Sequence, residues 1–497
     1  MDALRPTSKP VDLLIVGAGI SGIGMAAHFT RECPRKSYAI VERRERLGGT
    51  WDLFRYPGIR SDSDMYTLGY QFEPWRNDRS IAGGDAILAY LDQVADKYAI
   101  RERISFDTRV VSADWDSAQA LWTIETVDAG GIAGRLSGRF LFFGSGYYDY
   151  DEPHDAGIPG LANFGGTAVH PQFWPQDLDH SGKRIVVIGS GATAATLVPA
   201  LAEKAAHVTM LQRTPSWYFA RPAKDRLAMV LRRILPEKAA YALTRMRNIR
   251  LQDFLFRRAR EKPDQVKAFL HKQIAKQLPG GYEQADFSPP YNPWEQRLCL
   301  VPDGDLFKAI GTGKASIATG LIDTVDETGI RLEDGSHLDA DIIVTATGLK
   351  LSTLGKIAVT LDGKSVDFTQ AFYYRNCMFS NVPNLAALFG YLNAAWTLRV
   401  DIVASWLCRL LNHMDARGFD VATPLLPEGH GLVEANPVDL FSSGYLRRGR
   451  DLIPKSATTA PWRLSMDYLS DRKEMRSAPI EDGVLQFGRA TEIARAR

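Results

Sequence analysis

Two glycine-rich turns, Gly17-Ala18-Gly19-Ile20-Ser21-Gly22 and Gly189-Ser190-Gly191-Ala192-Thr193-Ala194, stand far apart in the chain, and the units they open close on side chains of opposite charge. The first unit ends in Glu42, the second in Arg213 with Thr214 beside it. Turns of this kind present backbone N–H groups at a helix N-terminus to a pyrophosphate. A carboxylate after the following strand accepts from a free ribose diol, whereas a guanidinium there holds a 2′-phosphate. The pair therefore reads as one FAD site (Gly17, Gly19, Gly22, Glu42) and one NADPH site (Gly189, Gly191, Thr193, Ala194, Arg213, Thr214), and the chemistry as redox chemistry.

Holding these residues in place takes two strand-turn-helix-strand units. Residues 11–16 are an apolar run suited to a strand buried on both faces. A helix over 23–30 and a strand over 38–41 follow, which sets Glu42 at the distance beyond Gly22 that a ribose carboxylate needs. The second unit repeats this with a strand over 184–188, a helix through 196–201 and a strand over 207–211, and Arg213 takes the corresponding place beyond Ala194. Ala194 replaces the third glycine, a position that needs only a small side chain for helix and strand to pack. Two further apolar runs, 140–146 and 341–348, end in small-residue turns and look like crossings between domains. The expected fold is α/β, with two Rossmann-like domains: an FAD domain over 1–148 and 349–497, and an NADPH domain over 149–220 and 277–348, carrying a helical insertion at 221–276.

With 497 residues, 45% of them hydrophobic, the chain can fill such cores, and a net charge of +2 points to no nucleic-acid partner. The four cysteines, Cys33, Cys299, Cys377 and Cys408, are widely separated, which provides neither a CxxC dithiol nor a metal site. The opening residues run into the first strand without an apolar stretch, so no signal peptide is expected, and 376–398, with four Asn, a Pro and a Gly, makes a poor membrane span. A cytoplasmic protein is expected. The insertion departs from the average, with 16 Lys or Arg against five acidic residues. Its helices read either as a basic solvated surface or as a peripheral membrane contact.

After Glu42 come Leu47-Gly48-Gly49-Thr50-Trp51 and Arg55-Tyr56-Pro57-Gly58-Ile59-Arg60-Ser61-Asp62-Ser63-Asp64. Their glycines permit close backbone approach, and Trp51 and Tyr56 suit either a flavin ring or ordinary core packing. Between the two nucleotide turns runs Phe164-Gly165-Gly166-Thr167-Ala168-Val169-His170-Pro171-Gln172-Phe173-Trp174-Pro175. With Phe164, Gly166, His170, Trp174 and Pro175 it matches FxGxxxHxxxWP, and on this string the chain resembles the type I Baeyer-Villiger monooxygenases. The resemblance extends through GGTWDLFRYPGIRSDSDMYTLG, YNPWEQRLCLVP and GYLNAAWTL, over nearly the whole length.

That resemblance implies an FAD-containing, NADPH- and dioxygen-dependent enzyme that converts ketones to esters or lactones through a flavin peroxide, and also oxidises sulfides. It implies that Arg297 is the catalytic cation, that Asp62 orients it, with Asp64 as local competitor, and that Gly49, Thr50, Trp51, Asp62 and Tyr66 bind cofactor. Arginine suits the role because it stays charged and offers a planar fork of donors. His170 is expected to position rather than to transfer protons. Trp396 lines the pocket or sits in the core. One departure is Gln296, where many relatives place a lysine that assists the 2′-phosphate. The alternative activity is oxidation of sulfur or nitrogen centres; a disulfide reductase would need the dithiol the sequence lacks.

Overall fold

The computed structural model describes residues 9–490. The opening residues read for a leader, 1–8, and the last of the second FAD segment, 491–497, lie outside the described residues. Strand β1 (Val11–Val16), buried on both faces from Leu13 onward, sits between parallel neighbours β2 (Tyr38–Val41) and β6 (Ala133–Phe143), with Leu13 opposite Tyr38 on one side and Phe140 on the other. β3 (Ile104–Ser105) extends the parallel edge, and β5 (Leu121–Asp128) runs antiparallel to both β4 (Thr108–Asp116) and β6. β17 (Ala358–Leu361), β18 (Lys364–Ser365) and β21 (Leu385–Ala387) return from late in the chain to complete a nine-stranded sheet.

The second sheet is parallel throughout, in the order β12 (Ala315–Thr319), β9 (His207–Gln212), β8 (Arg184–Ile188), β16 (Ile342–Thr345), β7 (Thr167–Val169). Beside it lie the pair β10 (Tyr218–Arg221) and β11 (Cys299–Pro302), and an antiparallel sheet of β13 (Ile322–Val325), β14 (Gly329–Leu332) and β15 (His337–Asp339). Two small hairpins, β19 (Tyr373–Tyr374) with β20 (Met378–Phe379) and β22 (Val421–Pro424) with β23 (Leu485–Gly488), belong to the C-terminal part.

Helices α1 (Ile20–Glu32) and α5 (Ala192–Leu201) start directly at the two glycine turns. The reason for glycine is steric: a Cβ on Gly22 would stand 1.8 Å from the Gly17 carbonyl oxygen. The two crossing runs are the strands β6 and β16, and each lies against one turn. A Cβ on Gly17 would meet the Gly144 oxygen at 2.9 Å, and one on Gly189 the Ala346 oxygen at 2.4 Å. Both turn residues hold positive φ, +95° and +134°, which glycine adopts without strain.

The short helices α2 (Thr50–Leu53) and α3 (Met65–Leu68) precede α4 (Gly84–Lys97). The insertion forms α6 (Arg226–Ile234), α7 (Glu237–Glu261) and α8 (Pro263–Gln277), followed by α9 (Asp305–Gly311), then α10 (Trp396–Arg417), α11 (Gly444–Arg448) and α12 (Tyr468–Ser477). In sequence the insertion branches from the second sheet's segments, yet α7 packs on α3 of the first unit. Buried Arg245 donates to the carbonyls of Tyr66, Thr67 and Gly69 at 2.9, 3.1 and 2.6 Å, satisfying the open C-terminal end of α3. Its other nitrogen meets Asp401 of α10 at 2.7 Å. A strongly basic helix thus uses one cation as an internal strut.

Candidate functional site

Both glycine turns open on one cavity of about 1170 Å³. On the first side Gly17, Gly19, Glu42, Gly49, Thr50, Trp51 and Asp62 line it. Glu42 is buried at the end of β2, where Oε2 accepts from the Ala18 N–H at 2.7 Å and Oε1 from the Arg44 N–H at 2.9 Å. Burial raises its carboxyl above the ordinary range, and the two backbone donors oppose that rise. Each oxygen retains acceptor capacity, which suits a diol. Gly49, at φ +56°, backs onto Gly19: a Cβ there would sit 2.9 Å from the Gly19 Cα. Thr50 opens α2, and Trp51 is half-buried against the core. Gly22 is withdrawn into the turn, and Tyr66 lies in the core against Tyr241 of α7; neither is a lining residue.

On the second side Gly189, Gly191, Thr193, Arg213 and Thr214 line the cavity, and buried Ala194 packs beneath them. A Cβ on Gly191 would meet nothing within 4 Å, so the backbone at the start of α5 faces open space. Arg213 follows β9 directly and is exposed. Ser190 Oγ donates to the Thr214 carbonyl at 2.7 Å, tying the turn to the segment that carries Arg213. This open cradle, the spare capacity of Glu42 and the exposed guanidinium fit two dinucleotides, one on each side.

Arg297 and Asp62 meet where the two sides approach, Nη1 to Oδ2 at 3.9 Å. Burial works against the Arg297 charge, and Asp62 together with the smaller contributions of Tyr147, Tyr445 and Tyr148 outweighs it, so the guanidinium is held above its ordinary value. Burial pushes the Asp62 carboxyl up, with Arg297 and Arg60 opposing. Although protein surrounds Arg297, 42% of its side chain remains open, and the opening is this cavity. Asp64, two positions on, points elsewhere: it caps α3, accepting from the N–H groups of Tyr66 and Thr67, and bonds Asn248 of α7 at 2.8 Å. Arg60 is tied to Asp305 of α9.

A tyrosine cluster beside Arg297 escaped the sequence reading. Tyr147 and Tyr148 follow β6 with hydroxyls bonded to each other, and Tyr445 of α11 joins them at the cavity wall. Burial raises all three hydroxyls well above their ordinary value, so they remain neutral beside the cation. The available signal was the Gly-Ser-Gly-Tyr-Tyr string at the crossing. Trp396, at the start of α10, lines the cavity, stacks on Tyr147 with ring centroids 5.0 Å apart, and donates to Ser21 Oγ at 2.8 Å. Gln296 also lines it, as does Cys299, the one cysteine that does so among the described residues.

The fingerprint stands apart from this wall. None of Phe164, Gly166, His170, Trp174 and Pro175 lines the cavity. Gly166 packs where a Cβ would meet the Asp341 oxygen at 2.4 Å, and Phe164 covers that glycine. His170 follows β7, which pairs with β16, and its Nδ1 accepts from the Gln172 N–H at 3.1 Å. Burial lowers its pKa. Trp174 packs against the second sheet's core, and Pro175 is exposed. The string adds the edge strand β7 to the second sheet, beside the crossing strand β16.

The chain matches known proteins over nearly its whole length. A family described as flavin-binding monooxygenase-like matches residues 80–355, and an NAD(P)-binding Rossmann-like domain matches residues 15–75. The chain is 47% identical over 492 residues to a probable FAD-binding monooxygenase, AlmA, of Acinetobacter baylyi, covering 98% of each protein. It is 48% identical over 484 residues to the FAD-containing monooxygenase EthA of Mycobacterium tuberculosis, covering 97% of this chain and 98% of the relative. In fold it is similar to a steroid monooxygenase solved with NADP, at a TM-score of 0.75 and 24% identity, over 97% of this chain and all of that one.

Proposed function

The chain belongs to the flavin-binding monooxygenase family, and we propose that it is an FAD-containing, NADPH-dependent Baeyer-Villiger monooxygenase that also oxidises sulfides. In the ketone reaction one oxygen atom of dioxygen enters beside the carbonyl to give an ester or lactone. The other leaves as water, with NADPH and a proton supplying the two electrons and the hydrogens. The observation that carries this reading is the Arg297–Asp62 pair in a cavity shared by both nucleotide turns.

The Gly17–Gly19 turn and the start of α1 would hold the FAD pyrophosphate, and Glu42 its ribose. Gly189, Gly191 and the start of α5 would hold that of NADPH, with Arg213 and Thr214 at the 2′-phosphate. When bound and reduced, FAD supplies the electrons that activate dioxygen. Arg297 presents a fixed positive charge where negative charge gathers on oxygen during attack on a carbonyl, and a preorganised cation there lowers the barrier. Asp62 holds that cation in place. Tyr147, Tyr148 and Tyr445, all neutral, put no competing anion beside it.

Purified yellow protein given NADPH, dioxygen and a panel of 2-alkanones, aryl ketones and thioethers, with products identified by mass spectrometry, tests this reading. Esters from the ketones are expected, together with sulfoxides. Sulfoxides without any ester would support the sulfur- and nitrogen-centred alternative and overturn the ketone reading.

A further inference from the structure

Sixteen large apolar side chains are exposed among the described residues, and nine of them lie between 227 and 269, within α6, α7 and α8. Chance placement would scatter them over the surface. On α6, Leu227, Val230 and Ile234 recur at helical spacing and face solvent, 49%, 49% and 68% exposed, while Ala228 is the one buried residue of that helix. An amphipathic helix in a folded protein normally turns its apolar stripe inward. Here it is turned out.

The long helix α7 repeats the arrangement. Its inner face, with Tyr241, Thr244, Arg245 and Asn248, is committed to the rest of the protein. The opposite face exposes Leu243, Met246 and Phe254, interleaved with Arg250 and Arg257. The insertion holds 16 of the 60 basic residues with only five acidic ones, so it is strongly positive although the whole chain is near neutral. Exposed apolar side chains flanked by arginines, whose stems can lie along an apolar layer while their heads reach an anionic one, match the chemistry of a bilayer surface.

We propose that α6–α8 dock this protein on the surface of an anionic lipid bilayer, lying in the interface without crossing it. Among the described residues no helix is long and apolar enough to cross. The apolar side chains enter the headgroup region, and the basic ones engage phosphate, which makes binding depend on both lipid charge and salt.

The test uses the full-length, FAD-loaded protein floated with vesicles of phosphatidylcholine alone or of phosphatidylcholine rich in phosphatidylglycerol, at low and near-physiological salt. Co-flotation with the anionic vesicles, weakened by salt, and none with the neutral ones is expected. Two paired variants, Leu243→Ser with Phe254→Ser and Arg233→Glu with Arg250→Glu, should each lower the bound fraction about tenfold. Flavin absorbance and melting temperature should stay unchanged in at least one pair, which separates lost docking from lost folding. Three outcomes would overturn the proposal: wild-type protein that floats with neither vesicle, binding indifferent to lipid charge, or a dimer in solution that Phe254→Ser dissociates.

Discussion

Arg297 Nη1 stands 3.9 Å from Asp62 Oδ2, close enough to couple their charges and too far for a direct hydrogen bond. In the mechanism proposed above, the Asp62 charge orients the guanidinium while its donors stay available to oxygen atoms in the cavity. Replacing Arg297 with Ala should lower ester formation by about 10²- to 10³-fold. NADPH oxidation should persist, because the nucleotide sites are untouched. Parallel assays of NADPH consumption and ester yield decide the matter, and normal ester yield would remove Arg297 from the mechanism.

Asp62→Ala should act through Arg297. The lost ester yield should exceed any loss of NADPH oxidation, with Asp62→Glu restoring part of it. Asp64→Asn is the informative contrast, because Asp64 caps α3 and bonds Asn248. It should lower the melting temperature more than it lowers the ratio of ester formed to NADPH consumed.

Arg213 ends the second unit exposed, at the rim of the cavity. Losing a charge-assisted contact to the 2′-phosphate should cut kcat/KM for NADPH by about ten- to a hundredfold in Arg213→Ala. The value for NADH should barely change. Steady-state kinetics with both coenzymes measure this, and an unaltered ratio would contradict the assignment. A lysine at Gln296, which also lines the cavity, should raise the NADPH preference.

A buried charge cluster ties the insertion to the first unit. His28 of α1 bonds Glu32 through Nδ1 at 2.6 Å and Asp401 through Nε2 at 3.1 Å, and Asp401 also bonds Arg245. Burial alone would lower the histidine pKa, but the two carboxylates outweigh it and raise the folded value. The stability His28 contributes is thus fully present below its unfolded value of about 6.5 and is lost as pH rises through the raised folded value. Melting curves of wild type and His28→Gln should converge on the alkaline side and separate on the acid side; a constant gap would refute the linkage. Asp401→Asn takes the carboxylate from buried Arg245, leaving it only carbonyl partners, and should cost about 3–5 kcal/mol.

The two nucleotide units were readable from the chain because their signals are local. An apolar run, a glycine turn and a charged strand end within one short segment specify one backbone path, and packing leaves little choice at Gly22 or Gly189. Asp62 and Asp64 are different. They share composition, spacing and neighbours in sequence, and only the course of the chain beyond Ser61 turns one into the cavity and the other into a helix cap. Tyr147, Arg297 and Tyr445 come together from three distant parts of the chain, a convergence that no periodicity encodes.

The insertion shows the same division. Its excess of basic residues and its helical spacing were evident from residue order, since both are properties of one helix at a time. Which face would be buried was not. Tertiary packing set Arg245 on the carbonyls of α3 and left Leu243, Met246 and Phe254 in solvent. Helical periodicity specifies which side chains share a face, and only the neighbouring elements decide which face is covered, because burial is a property of the assembled packing rather than of any segment.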